Sequence, residues 1–262
     1  SAASVVSYNN SQATINWTAG GSETSWNIEW GAPGFTPGTG TELGSATANT
    51  NPYTINGLLG NTEYDIYISA DCGTGIAGDW TPTNVWTLCD IQAIPYFESF
   101  DTTSITIDCW SNEYVSGTED WTIGSGSDAI ITSPYEGTNN AVFVTTTGDT
   151  TKLVSPMIDM TGQDSVALTF AYGQPVWFGD QNTTRIFAKS ISGTWQLLDT
   201  KSNDQSSWNV DTLFIPHLGD TMLIAFEGIS DGGHANVIDA VSVSPCTITP
   251  GVDGSMNVCR LS

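Results

Sequence analysis

Apolar residues recur at every second position in one segment after another of this chain, and that alternation leaves little choice of fold. In "ATINW", Ala13, Ile15 and Trp17 share a face, and in "SWNIEW" Trp26, Ile28 and Trp30 do the same. "EYDIYISA" sets Tyr64, Ile66, Ile68 and Ala70 on one side, with Asp65, Tyr67, Ser69 and Asp71 on the other. A period of two marks a strand with one buried face, because successive side chains of an extended backbone point to opposite sides. The intervals "TAGGSE", "GAPGFTPGTG", "NGLLGNT" and "CGTGIAGD" are rich in Gly, Asn and Pro, which adopt the backbone angles of tight turns. No stretch carries a convincing 3.6-residue period. Short strands between such turns predict an all-β chain of sandwich or barrel type.

The length, 262 residues, suits two ordinary domains. Charge is lopsided: 28 acids against five bases give a net charge of -23. Nucleic acid and anionic membrane surfaces both demand Lys and Arg, so neither is an expected partner. The bases are Lys152, Arg185, Lys189, Lys201 and Arg260, which leaves residues 1–89 with none. No apolar run approaches the ~20 residues of a membrane span, so membrane insertion is not expected. The opening "SAASVV" lacks an initiator Met, which suggests a secreted protein whose signal peptide has been removed, or a piece of a longer chain. The cysteines, Cys72, Cys89, Cys109, Cys246 and Cys259, form no zinc-binding spacing. Each lies near an inferred module edge, where a disulfide of a secreted protein would act; reduced core thiols are the alternative.

"INGLLGNTEYDIYISA" resembles the strand E to strand F passage of a fibronectin type III domain, its pattern falling on Leu58, Thr62 and Tyr64. That resemblance covers residues 1–89 and implies a β-sandwich. It makes Tyr64 the tyrosine-corner residue, its hydroxyl bonded to backbone slightly upstream. It also places Trp17 in strand B and Trp30 in strand C. The pair Gly60-Asn61 stands where many such domains carry Pro-Gly. The ending from Cys72 to Cys89 is similar to that of secreted bacterial members and implies a disulfide between the two.

From Ile94 onward come "AVFV", "KLVSPMI", "SVALTFAY", "TRIFAKSI", "TWQLLD", "DTLFIP", "TMLIAFEGI" and "NVIDAVSV". Eight or more antiparallel strands fit a jelly-roll sandwich. Their order resembles MAM-like domains and the related cleaved-adhesin jelly rolls of secreted bacterial surface proteins, over a module at 90–247. In those relatives the first and last strands are neighbours, which makes Cys109–Cys246 a bridge. The tail, 248–262, reads as a linker or the start of a further module.

In "NVIDAVSV" the alternation puts Val237, Asp239, Val241 and Val243 on one face, with Ile238 and Ala240 on the other. Both faces are largely apolar, so Asp239 is expected in a dry place, where an unpaired carboxylate costs several kcal/mol. It must be protonated, paired with a base or bound to metal, and Ca²⁺ suits an all-oxygen site. The resemblance implies a structural cation shared by the Glu of the early Phe-Glu pair and this Asp, here Glu98 and Asp239. Asp101, Asn112, Glu113 and Asp120 are further candidate ligands, with Asp101 the one nearest Glu98 in sequence. The alternative is that Glu98 and Asp101 are ordinary surface acids.

In "YGQPVWFGDQNTT", Trp177 and Phe178 stand between Pro and Gly in a loop or strand edge. Exposed there, they would stack on sugar rings, with Gln174, Asp180 and Asn182 bonding hydroxyls; capping the core is the alternative for Trp177. Trp195 and Trp208 read as core, Trp80 and Trp86 as packed in the first module. His217 and His234 read as solvated loop residues. No HExxH, GxSxG or Walker loop occurs. A paired-acid glycosidase needs a carboxylate separation that sequence does not reveal, and among 28 acids chance pairs are common. The sequence therefore points to a non-catalytic adhesion or binding pair of modules from an extracellular, cell-surface protein with structural calcium. Its partners would be a glycan or a cell-surface protein, and neighbouring modules of the same chain. A carbohydrate-binding accessory region of an extracellular hydrolase and a pure spacer are the alternatives.

Overall fold

The alternating segments of the first ninety residues do fold as strands with one buried face. The computed structural model describes residues 2–71, 73, 78–127, 130–144, 148–249 and 258–261. It divides into two units, Ser1–Asp90 and Ile91–Ser262. Unit 1 contains β1 (Ala3–Tyr8), β2 (Gln12–Trp17), β3 (Trp26–Gly31), β4 (Gly44–Ala48), β5 (Tyr53–Asn56), β6 (Glu63–Ala70) and β7 (Thr81–Trp86). They form a three-stranded sheet, β1-β2-β5, and a four-stranded sheet, β4-β3-β6-β7. Ala13, Ile15, Trp17 and Ile55 from the first meet Trp26, Ile28, Tyr64, Ile66 and Ile68 from the second in one core. The Tyr64 hydroxyl accepts the Leu59 N–H at 2.9 Å, tying the turn before β6 to the strand. Trp86 departs from expectation: it is 55% exposed, and its indole N–H donates to Asn61 Oδ1 at 3.0 Å. It occupies an outward position at the end of an edge strand, opposite Glu63 of β6.

Unit 2 begins with β8 (Tyr96–Glu98), a 3-10 turn at Ile107–Cys109, β9 (Ser111–Ser116), β10 (Thr122–Gly124), β11 (Asn140–Phe143) and β12 (Thr150–Val154). It continues with β13 (Ile158–Asp159), β14 (Ser165–Gln174), β15 (Thr183–Ser190), β16 (Gln196–Lys201), β17 (Gln205–Pro216), β18 (Thr221–Ile229), β19 (Asn236–Thr249) and β20 (Val258–Leu261). One sheet runs β10-β11-β19-β14-β17, with β8 and β20 also paired to β19. The other runs β16-β15-β18-β12-β9, with β13 on β18. The first and last long segments are neighbours, since Val241 lies opposite Glu98 and Val243 opposite Tyr96. The tail doubles back, Thr249 pairing with Val258 and Cys246 with Leu261. Between the sheets lies a dry core that includes Phe143, Leu168, Phe170, Ile186, Phe226 and Val241.

One irregularity decides where the site residues point. Going along β14, Leu168 faces Val243 and Thr169 faces Ser242, but Ala171 faces Asp239. Phe170 alone thus stands opposite both Ala240 and Val241, a bulge of two residues against one. Ala240 takes the left-handed angle φ 48 that such an inserted residue needs. The bulge breaks the simple alternation read from "NVIDAVSV". Ile238, Val241 and Val243 all join the core, while Asp239 follows Ala171 onto the outward face of the sheet.

Candidate functional site

The stretch from Ser133 to Asn139 crosses the outward face of that sheet and is fastened there by side chains. Asp239 is fully buried beneath it. Its Oδ2 accepts the N–H groups of Tyr135 at 2.9 Å and Glu136 at 3.1 Å, and its Oδ1 that of Ala240 at 2.7 Å. Burial pushes this carboxyl up to about 6, against the opposing pull of those N–H groups, with the Glu136 charge adding slightly. Asp101 grips the same stretch from the other side. Its Oδ1 accepts from Thr138 N–H at 2.6 Å, Thr138 Oγ1 at 2.8 Å and Asn139 N–H at 3.0 Å. The Thr138 bonds, helped by Asn139, hold its carboxyl below the usual range. Gly137 lies between them with φ 60, and a Cβ there would stand 2.0 Å from Asp101 Oδ2, so any other residue would displace that carboxylate. Trp208, expected in the core, is instead half-buried here, its indole donating to Ser133 O at 2.9 Å.

Glu98 lies elsewhere. It is opposite Val241 and so on the core face, fully buried. Its Oε1 accepts Phe100 N–H at 2.8 Å. Its Oε2 accepts Thr106 Oγ1 at 2.7 Å and the Trp110 indole at 3.1 Å. A cation shared by Glu98 and Asp239 does not fit, because the two carboxylates sit on opposite faces of one sheet. The shared cation is what the family resemblance implies; the alternation in "NVIDAVSV" sets Asp239 on the face of Val241 and Val243, and the bulge at Ala240 turns it to the other. Asp101 and Asp239 instead hold successive parts of one stretch, residues 138–139 and 135–136. Among the described residues no three Asp, Glu, His or Cys side chains cluster, so a cation held by these two would draw its remaining oxygens from backbone carbonyls. Asn112 and Glu113 serve other contacts: Asn112 Oδ1 accepts Trp121 N–H at 2.9 Å, and Glu113 Oε1 accepts the Trp195 indole at 2.9 Å. Asp120 accepts from the Tyr114 hydroxyl at 2.5 Å.

At the end of β14 the chain makes a tight reversal in which Trp177 and Asp180 exchange backbone hydrogen bonds of 3.0 and 2.9 Å. Phe178, at its tip, has φ 49 and is 92% exposed; Trp177 is 47% exposed. The rings meet edge to face at 4.7 Å, and Trp177 rests on His234 at 4.8 Å and 89°. His234, read as solvated from sequence, is instead buried under that indole, and its backbone N–H donates to Pro175 O at 3.0 Å. Asp180 is exposed beside the aromatics. Gln174 and Asn182, expected to bond ligand hydroxyls, are fully buried. Asn182 Oδ1 accepts the N–H groups of Asp231 at 3.0 Å and Gly233 at 2.8 Å, and Gln174 donates to Asn203 O at 3.0 Å. Both brace the turn from within.

Cys89, Cys109 and Cys246 are each disulfide-bonded. Cys72, and the side chain of Cys259, lie outside the described residues. No helix among the described residues is long and apolar enough to cross a membrane.

No protein-family model and no curated protein matches the chain. Among solved structures, it is similar to a chain from a study of carbohydrate-binding modules of the β-sandwich superfamily, at 13% identity and a TM-score of 0.40, covering 93% of this chain and 98% of that one. It is also similar to a family 61 carbohydrate-binding module solved with β-1,4-galactotriose, at 8% identity and a TM-score of 0.41, covering 56% of this chain and 99% of that one. A third is the K3 cleaved adhesin domain of Lys-gingipain from Porphyromonas gingivalis, at 16% identity and a TM-score of 0.44, covering 57% of this chain and 96% of that one. At these values the likenesses assign no ligand.

Proposed function

We propose that unit 2 is a non-catalytic glycan-binding module and that the Trp177–Phe178 turn is its contact surface. The observation that carries this reading is the exposure of two large aromatic rings on a braced reversal, with Asp180 beside them. Aromatic rings supply much area for little conformational entropy, and a rigid tip loses less on binding. The three- and four-stranded sheets of unit 1, with the Tyr64–Leu59 bond, support a fibronectin type III-like module that presents its neighbour. The disulfide-bonded cysteines support a secreted protein, since such bonds persist in oxidising compartments. The Cys72–Cys89 and Cys109–Cys246 pairings belong to the same proposal.

The test is a glycan array followed by calorimetry on the hit. Trp177→Ala and Phe178→Ala should each weaken binding about thirtyfold, the size of a well-packed aromatic contact at an interface. An array without hits, or variants that bind as the parent does, would refute the assignment.

A structural calcium held by Asp101 and Asp239 is part of this proposal. Two hard carboxylates hold one stretch of backbone, and no base forms an ion pair with either among the described residues. An oxygen-only donor set of this kind suits Ca²⁺ better than a softer metal.

A further inference from the structure

Three of the five bases of this acidic chain gather on the outward face of the six-stranded sheet of unit 2. Lys152 of β12, Glu227 of β18 and Arg185 of β15 stand directly opposite one another, with Glu113 of β9 next to Lys152. Lys152 Nζ is 2.9 Å from Glu227 and 3.6 Å from Glu113, and Arg185 pairs with the other oxygen of Glu227. The Lys152 and Glu227 side chains are only 8% and 2% exposed, although they lie on the outward face.

What covers them is a layer of rings and longer cations. The Phe187 ring has Lys152 Nζ at 5.4 Å and the Arg185 guanidinium at 5.8 Å from its centroid. Trp195, expected in the core, reaches across the face to Glu113 and carries Lys189 Nζ at 4.3 Å from its centroid. Buried ion pairs thus fix Arg185, whose Nε is buried but which keeps 36% of its side chain exposed. Lys189 forms no salt bridge among the described residues, and its ring contact leaves the ammonium hydrogens available.

The charges of Lys152, Arg185 and Lys189 against Glu113 and Glu227 leave an excess of one positive charge, in a chain whose total is -23. A local reversal of sign on braced aromatic residues fits a ligand that combines a ring with a carboxylate. We propose that this face binds a uronate-bearing saccharide, its carboxylate meeting Arg185 and Lys189 and its pyranose ring lying against Trp195 and Phe187. Arg offers a planar fork of donors to a carboxylate, and charge-assisted bonds of this kind are the stronger ones. This site is separate from the Trp177–Phe178 turn and rests on its own residues.

The test is calorimetry of the whole 262-residue chain with trigalacturonate and with its fully methyl-esterified form, which keeps the rings and removes the charges. The acid should bind at least about tenfold more tightly than the ester, and Lys189→Gln should weaken the acid by about tenfold, the scale of one charge-assisted contact. Among the described residues Lys189 forms no salt bridge, and Lys189→Gln gives up only its contact with the Trp195 ring, so this variant keeps the fold, which circular dichroism checks. Trp177→Ala should leave trigalacturonate binding unchanged, which separates this proposal from the one above. Equal affinity for acid and ester, no binding of either, or indifference to Lys189→Gln would each overturn it.

Discussion

Lys152→Ala is expected to destabilise unit 2 by about 3 kcal/mol, the scale seen when one partner of a buried ion pair is removed. The reason lies with the partner left behind. Glu227 is 2% exposed and flanked by Lys152 and Arg185, so loss of Lys152 leaves a desolvated carboxylate with one cation instead of two. In a domain of this size such a loss lowers the melting temperature by roughly 6–12 °C. Lys152→Met keeps most of the volume and isolates the electrostatic share. A double variant, Lys152→Met with Glu227→Gln, should recover part of the loss, because it no longer strands a charge. This does not make the ion pairs better than an apolar core would be; it says that breaking one is costly. A Lys152→Ala loss below about 1 kcal/mol, the range of exposed pairs, would mean that water reaches the row.

The second large effect is a pH dependence, measured in EDTA. Burial raises the Asp239 carboxyl from 3.8 to about 6. A group raised in the folded state stabilises most when protonated, so its contribution is full below 3.8 and is lost as pH rises through about 6. About two units at 1.36 kcal/mol each give about 3 kcal/mol between pH 4 and pH 7. Asp101 shifts the opposite way: its stabilisation is present above its ordinary value of 3.8 and lost below it, so the two windows barely overlap. Asp239→Asn cannot titrate, and the stability difference between parent and variant should change by that amount over this range. Parallel pH profiles for the two proteins would rule out a dry Asp239.

Much of the fold was legible because alternation is a local property. Ala13, Ile15 and Trp17 in β2, and Tyr64, Ile66 and Ile68 in β6, lie in the core as their spacing requires. Neighbouring first and last strands were expected from resemblance and are paired as β8 and β19. What failed depended on long-range geometry. A bulge at Ala240 has no marker in "NVIDAVSV", since Ala is an ordinary residue that here takes φ 48. Its consequence was to send Asp239 and Glu98 to opposite faces. Trp195 and Trp208 sit at positions that a pattern reads as core, yet each half-covers an outward face through a hydrogen bond to a residue more than seventy positions away. The ion row was missed although Lys152, Arg185 and Glu227 all occupy outward positions of alternating strands. Only strand pairing reveals that they are adjacent.

The clasp of residues 135–139 by Asp101 and Asp239 is tested most directly by melting the chain in excess EDTA and in millimolar calcium at pH 7.5. A ligand at about a hundredfold its dissociation constant adds about 2.7 kcal/mol, so calcium should raise the transition of unit 2 by roughly 5–10 °C. Asp239→Asn should abolish that difference, whereas Glu98→Gln should lower both melts and preserve it. Identical transitions in the two buffers would contradict a cation at this site.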